Sequence, residues 1–323
     1  MPRPAVNAAT SQQPEKNSIA DVAKVAIREF LQKIDIVPPE FTRDAELEAK
    51  VKAITRTWPF EERIRPHIVT ALVITETSYP HVSDIEARVA IVIYTAILTA
   101  LDTPGLFDAA GAQDFYRRVC DGSLQHDRGM LGEFARVIAD MSRFYSNFSA
   151  CSILSSSLRY LNGELIGNPE SKAFVELNSK EFVDYSRGMS GDAEAYAAFI
   201  WSKADFPDDN LYLQVFPDAC LYINHANDIL SFYKEEQDGE ISSYIHARAR
   251  ATGKSTVATL REVSDEVVNA SQRIRRTLGE GRARDAWDSF ERGYIGFHVG
   301  DPRYRLQDIF GAHWEYMMDA TAV

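Results

Sequence analysis

The stretch Asn227-Asp228-Ile229-Leu230-Ser231-Phe232-Tyr233-Lys234-Glu235 carries an amide, a hydroxyl and a carboxylate at three positions spaced four residues apart. In a helix such positions share one face, so the oxygens of Asn227, Ser231 and Glu235 should point the same way. Magnesium prefers oxygen ligands and keeps several coordination positions for water or a substrate phosphate. The spacing of this oxygen triad therefore predicts a helix that binds magnesium together with a phosphorylated substrate.

The neighbouring residues favour a functional site over a solvated helix face, which is the alternative for three polar residues at helical spacing. The segment from Leu211 to Ala226 contains few charges. The residues between the triad positions are largely apolar, among them Ile229, Leu230, Phe232 and Tyr233. A helix that is apolar on most sides is buried, so its polar stripe needs partners.

The pattern Asn227-Asp228-x-x-Ser231-x-x-x-Glu235 resembles the second metal-binding motif of class I terpene cyclases. The resemblance implies that the oxygen triad binds one magnesium ion. It also implies an all-α fold, a class I terpene synthase helical bundle around a central apolar cavity. Alternating strand patterns are scarce in the sequence, which agrees with that expectation.

A second motif lies downstream, in the run Asp301-Pro302-Arg303-Tyr304-Arg305-Leu306. With the first motif it is similar to fungal sesquiterpene cyclases of the trichodiene synthase type, and the likeness spans residues 19–310. The resemblance implies that Lys234, Arg303 and Tyr304 contact the substrate diphosphate.

The segment Tyr185-Ser186-Arg187-Gly188-Met189-Ser190-Gly191 resembles a third element of this family. There an arginine senses the diphosphate and a glycine carbonyl faces the departing carbon, which implies catalytic roles for Arg187 and Gly191 and diphosphate binding by Arg187. Two glycines within four residues also weaken a helix and free backbone carbonyls. An ordinary turn between helices with a surface arginine is the alternative.

The family's aspartate-rich motif is degenerate in this chain, where the matching segment is Asp102-Thr103-Pro104-Gly105-Leu106-Phe107-Asp108. Only the first acid is in place, because Thr103 and Leu106 replace the other two, and Pro104 should end the helix directly after Asp102. The resemblance implies that Asp102 is catalytic and binds metal, with Asp108 a candidate substitute for the missing acids. The alternative is an acid without function at a helix end where the dipole disfavours it. We expect weak metal capture here and slow ionisation.

Composition limits the remaining possibilities. The 323 residues contain no Pro/Gly/Ser-rich linker, so we expect one helical cyclase domain over residues 18–323 after a disordered N-terminal tail over residues 1–17. A net charge of -12 argues against a nucleic-acid partner. The apolar run Val89–Leu101 is shorter than the roughly 20 residues of a membrane span. The lack of a signal peptide and an odd number of cysteines predict a cytoplasmic protein: Cys120, Cys151 and Cys220.

Helical periodicity recurs along the chain. A capping box at Ser18-x-x-Asp21 should open the first helix, and Pro217 should kink the helix that carries the oxygen triad. The other predicted helices cover 84–101, 131–163, 209–236, 255–277 and 284–297. Four helix-borne side chains are candidates for the cavity wall, with ordinary core packing as the alternative: Phe216, Tyr222, Tyr294 and His298.

We therefore predict magnesium-dependent ionisation of farnesyl diphosphate and cyclisation of the resulting carbocation to a sesquiterpene. One alternative is a terpenyl transferase, in which an external nucleophile such as an amine captures the cation. Another is a non-catalytic homologue that binds a prenyl diphosphate. The expected partner is a prenyl diphosphate; a nucleophilic co-substrate and a homodimer stay open.

Overall fold

The computed structural model describes residues 16–167 and 179–310, and every regular element within these ranges is a helix. The helices are α1 Lys16–Ile34, α2 Ala45–Thr55, α3 Glu61–Ser78, α4 Ile85–Leu101, α5 Pro104–Ala110, α6 Phe115–Cys120, α7 Met130–Phe144, α8 Asn147–Gly167, α9 Lys180–Ser190, α10 Ala193–Phe199, α11 Phe216–Asp238, α12 Tyr244–Thr252, α13 Thr256–Leu278, α14 Arg282–Gly300 and α15 Gln307–Phe310. The all-α expectation is confirmed.

The first helix begins earlier than the sequence pattern predicts. It starts at Lys16, so Lys16 and Asn17 are helical and Ser18 lies inside α1 instead of capping it. Residues 1–15 of the predicted tail lie outside the described residues.

Helix α4 is the interior helix of the bundle. From Val89 to Leu101 only Thr99 is not buried, as expected for a helix that is apolar on all sides. It packs against α3 on one side and α7 on another, and it ends at Leu101, directly before Pro104 opens α5. Asp102 is thereby placed at the C-terminal end of α4, as predicted.

Helices α3 and α14 approach so closely that one contact position has no room for a side chain. A Cβ atom on Gly293 would lie 1.8 Å from the Thr77 carbonyl oxygen and 2.7 Å from the Cα of Ser78. Backbone therefore packs directly on backbone, and only glycine fits this contact. The two helices form one wall of the cavity described below.

Helix α11 packs against α13, α10 and α1. The predicted kink at Pro217 is wrong, because α11 begins at Phe216 and Pro217 occupies its first turn, where a missing N–H costs no hydrogen bond. The helical pattern over 209–236 also predicts too early a start, because residues 209–211 and 213–215 form two short 3-10 turns before α11 begins. The helix ends at Asp238, and Gly239 follows it in the left-handed conformation.

The predicted helix over 131–163 is two helices, because Tyr145 adopts an extended conformation between α7 and α8. The patterns over 84–101, 255–277 and 284–297 correspond to α4, α13 and α14. No helix in residues 16–167 or 179–310 combines the length and the hydropathy of a membrane span.

Candidate active site

A cavity of about 390 Å³ opens between α3, α4, α9, α11 and α14. Its deeper wall combines apolar and polar side chains, among them Ile74, Thr95, Leu98, Tyr196, Ile223, Tyr294 and Phe297. Its mouth contains most residues that the sequence motifs single out: Asp102, Arg187, Gly191, Asn227, Glu235, Arg303 and Tyr304. Segments far apart in the sequence therefore meet at one opening.

The oxygen triad follows one face of α11, as its spacing predicts. The Ser231 hydroxyl donates to Glu235 Oε1 at 2.6 Å. Glu235 Oε2 is buried without a hydrogen-bond partner among the described residues, although the Ser243 hydroxyl lies nearby. Burial raises the pKa of Glu235 to about 7. An orphaned carboxylate oxygen beside an amide and a hydroxyl is a donor set that suits a hard cation such as magnesium.

His298 orients the first member of the triad. Its Nδ1 lies 2.7 Å from the Tyr294 carbonyl oxygen and its Nε2 lies 3.1 Å from the amide nitrogen of Asn227. Burial lowers the pKa of His298 to about 3, so the ring is neutral, donates from Nδ1 and accepts at Nε2. The Asn227 amide nitrogen thus faces His298, while its oxygen lies 3.5 Å from Arg187 Nη2, a long contact that a bound metal would replace. The sequence had suggested His298 only as a cavity-wall ring.

Arg187 is held against α11. Its Nε donates to Asp228 at 2.7 and 3.0 Å, and its Nη2 donates to the Asn224 carbonyl oxygen at 2.8 Å. Asp228 also lies 3.0 Å from His225 Nδ1. Within the described part of the chain Nη1 of Arg187 has no acceptor, so one edge of the guanidinium is available to a ligand in the cavity.

Gly191 lies at the break between α9 and α10, in contact with α11. A Cβ at this position would lie 1.8 Å from Asn224 Oδ1 and 2.5 Å from Arg187 Nη1. Any larger residue would displace one of these groups, so the close approach requires glycine. Asn224 Oδ1 is itself buried without a partner among the residues described.

Arg303 and Tyr304 reach the mouth on a 3-10 turn, Pro302–Tyr304, that follows α14. The Arg303 guanidinium lies 5.2 Å from the centre of the Tyr304 ring, and it forms no ion pair within residues 16–167 and 179–310. Arg305 pairs with Asp238 at 3.0 Å, which connects this turn to the end of α11. An arginine without a carboxylate partner at a cavity mouth is suited to bind phosphate.

Asp102 is exposed at the mouth, and the substitutes proposed for its missing neighbours do not join it. Asp108 lies on α5, is exposed and does not line the cavity. Thr103 precedes α5 and Leu106 packs against the hydrophobic core. The acid that does approach Asp102 comes from a different helix.

That acid is Glu164 of α8. Helices α4 and α8 run in the same direction where they touch, because Tyr94 contacts Ser157 at 2.7 Å and Tyr160 donates to the Leu98 carbonyl at 3.3 Å. One further turn along each helix brings Asp102 and Glu164 to the same level. Burial, with the Asp102 charge second, raises the pKa of Glu164 to about 7. No motif marks Glu164, so sequence reasoning missed it; the only signal is its helical spacing from Tyr160.

Four predicted site residues lie outside the cavity wall. Lys234 and Ser231 do not line the cavity, although Ser231 contacts Glu235. Phe216 packs against Phe148, and Tyr222 packs edge-on against Trp287, so the suggestion that these two rings line the cavity is wrong. Both lie on faces of α11 that are turned away from it.

Comparison with known proteins agrees with this fold and site. A family model described as trichodiene synthase (TRI5) matches residues 48–320. Monoterpene synthase 25 of Postia placenta is 45% identical over 97% of this chain and 93% of its own length. Alpha-cuprenene synthase COP6 of Coprinopsis cinerea is 30% identical over 90% of each chain. The crystal structure of linalool/nerolidol synthase from Streptomyces clavuligerus shares the fold, with a TM-score of 0.50 at 15% identity over 91% of this chain and 99% of that one.

The helical bundle and these relatives define a terpene synthase, a lyase that acts on a prenyl diphosphate. Within that class, the chain belongs to the trichodiene synthase family.

Proposed function

We propose that this protein ionises farnesyl diphosphate in a magnesium-dependent reaction and cyclises the resulting carbocation to a sesquiterpene. The observation that carries the proposal is the meeting of Asn227 and Glu235 of the oxygen triad with Arg187 and Arg303 at one cavity mouth. Oxygen ligands, the guanidinium of Arg303 and the available Nη1 of Arg187 together supply what a metal-bound diphosphate needs.

The oxygen triad and Asp102 would hold magnesium, with Glu164 supporting the Asp102 side. Bound magnesium neutralises negative charge that accumulates on the leaving diphosphate. Arg303 donates hydrogen bonds to the diphosphate from the exposed rim, with Tyr304 beside it, and Arg187 donates from its unpaired Nη1. These groups stabilise the departing anion without a protein nucleophile. Lys234, which lies outside the cavity wall, is the least supported diphosphate contact.

The deeper cavity would receive the hydrocarbon chain. Rings of Tyr294, Phe297 and Tyr196 lie in its wall, and an aromatic face stabilises a nearby cation by roughly 0.5 to 2 kcal/mol. The carbonyl of Gly191 adds a fixed dipole near the opening. The protein thus separates two tasks: the polar mouth removes diphosphate, and the deeper wall shapes the cation.

Geranyl diphosphate is the second candidate substrate, because a relative named monoterpene synthase 25 is 45% identical over nearly the whole chain. Its shorter ten-carbon chain would use the same mouth and leave part of the deeper cavity to water or to an added nucleophile. The chemistry at the diphosphate would be unchanged.

The decisive experiment incubates purified protein with geranyl, farnesyl and geranylgeranyl diphosphates, with and without magnesium. Diphosphate release gives the rate and mass spectrometry of the volatiles gives the products. We expect the highest kcat/KM and cyclic fifteen-carbon products with farnesyl diphosphate, and no turnover in chelator. A preference for geranyl diphosphate would establish the second candidate, and adducts formed with added amines would identify a transferase instead.

A further inference from the structure

The backbone between α9 and α10 contains a residue in an unusual conformation. Asp192 follows Gly191 and has φ 48° and ψ 28°, in the left-handed region. Residues other than glycine rarely adopt this backbone conformation, although aspartate tolerates it better than most. Two other non-glycine residues in the described ranges share a positive φ, Asp35 and Arg305, and both are exposed. Asp192 is 1% exposed.

Two helices on the far side of the break bind the Asp192 carboxyl group. The Tyr94 hydroxyl of α4 lies 2.6 Å from Oδ2, and the Ser156 hydroxyl of α8 donates to Oδ1 at 2.6 Å. Both carboxyl oxygens are therefore fixed. A conformation that is unfavourable in isolation persists where its surroundings determine it this completely.

The hydroxyl protons around Asp192 suit a neutral carboxyl group. The Ser157 hydroxyl donates to the Ile153 carbonyl at 2.7 Å, and the Tyr94 hydroxyl lies 2.7 Å from Ser157 Oγ. When Tyr94 donates to an ionised Asp192, the contact between Tyr94 and Ser157 has no proton of its own; if Asp192 is protonated it donates to Tyr94 instead, Tyr94 donates to Ser157, and every contact carries one proton. Burial raises the pKa of Asp192 to about 7, which agrees with this arrangement. An asparagine would reproduce it.

Asp192 controls the direction of one carbonyl at the cavity. The Gly191 carbonyl and the Asp192 nitrogen belong to the same rigid peptide plane, so rotation about φ of Asp192 turns that carbonyl. No described residue donates a hydrogen bond to the Gly191 carbonyl oxygen, and Gly191 lines the cavity. The carbonyl is thus free to face a ligand, in an orientation that Asp192 determines.

We propose that Asp192 is a positioning residue for ionisation: bound to Tyr94 and Ser156, it fixes the backbone turn that presents the Gly191 carbonyl to the cavity. This role rests on the proposed function, because it matters only if a cation forms beside Gly191. It concerns the chemical step and not the binding of diphosphate, since the Asp192 side chain bonds to Tyr94 and Ser156 and not to the side chains expected to hold diphosphate.

The test compares three variants with a matched control. Asp192→Asn keeps both hydrogen bonds and the left-handed turn. Asp192→Gly can still adopt the turn but loses the hydrogen bonds that fix it, and Asp192→Ala loses the hydrogen bonds and disfavours the turn. Asp35→Gly makes the same change at an exposed left-handed aspartate remote from the break. The measurements are kcat and KM for diphosphate release, the product distribution, the affinity for magnesium pyrophosphate and the melting temperature.

We expect Asp192→Asn and Asp35→Gly to keep a kcat within about threefold of the wild type. Asp192→Gly should lower kcat by about 10- to 100-fold, the size of effect that a small misplacement of a catalytic group produces. Its KM and pyrophosphate affinity should stay within about threefold, and its products should become more varied. Asp192→Ala should behave like Asp192→Gly or worse.

Three outcomes would overturn the role. A wild-type kcat in Asp192→Gly would show that the hydrogen bonds are not needed. Parallel losses of kcat, pyrophosphate affinity and melting temperature would show a general structural role. Equal damage in Asp192→Asn and Asp192→Gly would show that hydrogen-bond geometry is not the determinant. A wild type that releases no diphosphate from any prenyl diphosphate would overturn the proposed function itself, and this role with it.

Discussion

The Arg187 guanidinium binds both carboxylate oxygens of Asp228 through Nε, at 2.7 and 3.0 Å. Asp228 follows the first residue of the oxygen triad, so the arginine expected to sense diphosphate is joined to the helix expected to bind metal. Both side chains are nearly buried, with 12% and 9% exposed. A ligand that attracts Arg187 must therefore also act on α11, which couples diphosphate binding by Arg187 to metal binding by the oxygen triad.

The buried pair gives a first prediction, about stability. Asp228→Asn should lower the free energy of unfolding by about 3 to 5 kcal/mol, because it leaves the buried Arg187 without its counter-ion. Asp265→Asn is the control, since it breaks an exposed ion pair with Lys33 and should cost less than about 1 kcal/mol. Urea unfolding measures both, and equal losses would contradict the importance of the Arg187–Asp228 pair.

The second prediction concerns the oxygen triad. Glu235→Gln removes the carboxylate charge from the expected metal site and should lower diphosphate release by more than about 100-fold. Stability without ligand should not fall and should rise at neutral pH, because burial raises the pKa of Glu235 to about 7 and an amide cannot ionise. Asp218→Asn, at the other end of α11 and bonded to Arg273, is the control and should remain active. Undiminished turnover of Glu235→Gln at limiting magnesium would refute the metal assignment.

The third prediction concerns the degenerate motif. Asp102→Asn and Glu164→Gln should each weaken magnesium pyrophosphate binding by about tenfold, since Asp102 lines the mouth and Glu164, which does not itself line the cavity, acts on Asp102 through its charge. The double variant should lose less than the product of the two effects, because both residues act on one site.

Asp108→Asn supplies the control for that experiment, because its exposed acid lies outside the cavity. Isothermal titration with magnesium pyrophosphate measures the wild type and all four variants. Normal binding by Glu164→Gln together with a loss in Asp108→Asn would reverse the assignment and restore Asp108 as the substitute acid.

The fourth prediction concerns closure of the mouth. The segment 300–306 should exchange its amide hydrogens more slowly once magnesium and pyrophosphate are bound, because Arg303 and Arg187 would then contact one ligand. Arg303→Lys should lose this protection and most activity, since a single ammonium replaces a planar two-pronged donor. Arg282→Lys, which changes an arginine over the ring of Phe206, is the control. Identical exchange with and without ligand would argue against closure.

The fifth prediction is a pH dependence of stability set by Glu76. Burial raises the pKa of Glu76 to about 7, and its Oε2 has no hydrogen-bond partner among the described residues. The unfolded chain loses this proton near pH 4.5 and the folded chain near pH 7, so stability from this group is present at low pH and is lost as pH rises between these values.

Glu76→Gln should remove this loss and stabilise the protein at pH 8 by about 3 kcal/mol relative to the wild type. At pH 4 the two proteins should differ little. Glu86→Gln, which changes an acid paired with Lys50, should not alter the slope. Urea unfolding across pH 4 to 8 measures the three proteins, and parallel curves for wild type and Glu76→Gln would contradict the assignment.

The sequence predicts the fold well because helical periodicity and the motif spacing are local properties. The family resemblance and the all-α fold are confirmed, and α4, α13 and α14 begin and end close to their predicted limits. The errors concern boundaries. Pro217 was read as a kink when it opens a helix, and the extended Tyr145 divides a pattern whose periodicity continues across it.

The site was less predictable because its contacts join distant segments. The tautomer of His298 and the approach of Glu164 to Asp102 depend on helix packing that no local pattern records. Most motif residues do meet at one mouth, Ser231 and Lys234 excepted, but their metal and diphosphate roles stay predictions for the experiments above. The degenerate motif illustrates the difference: the sequence shows which acids are missing after Asp102, and the helix packing shows that Glu164 lies near it.

The direct backbone contact at Gly293 bears on how new products could evolve in this enzyme. Helices α3 and α14 cannot move apart or change their crossing angle without losing that contact, so the backbone of the cavity wall they share is fixed. Variation in product should then arise from substituting side chains that line this wall, such as Thr70, Ile74 and Phe297, while the positions of the two helices stay the same. The shape of the cavity could therefore be changed one side chain at a time without altering the packing of the helices.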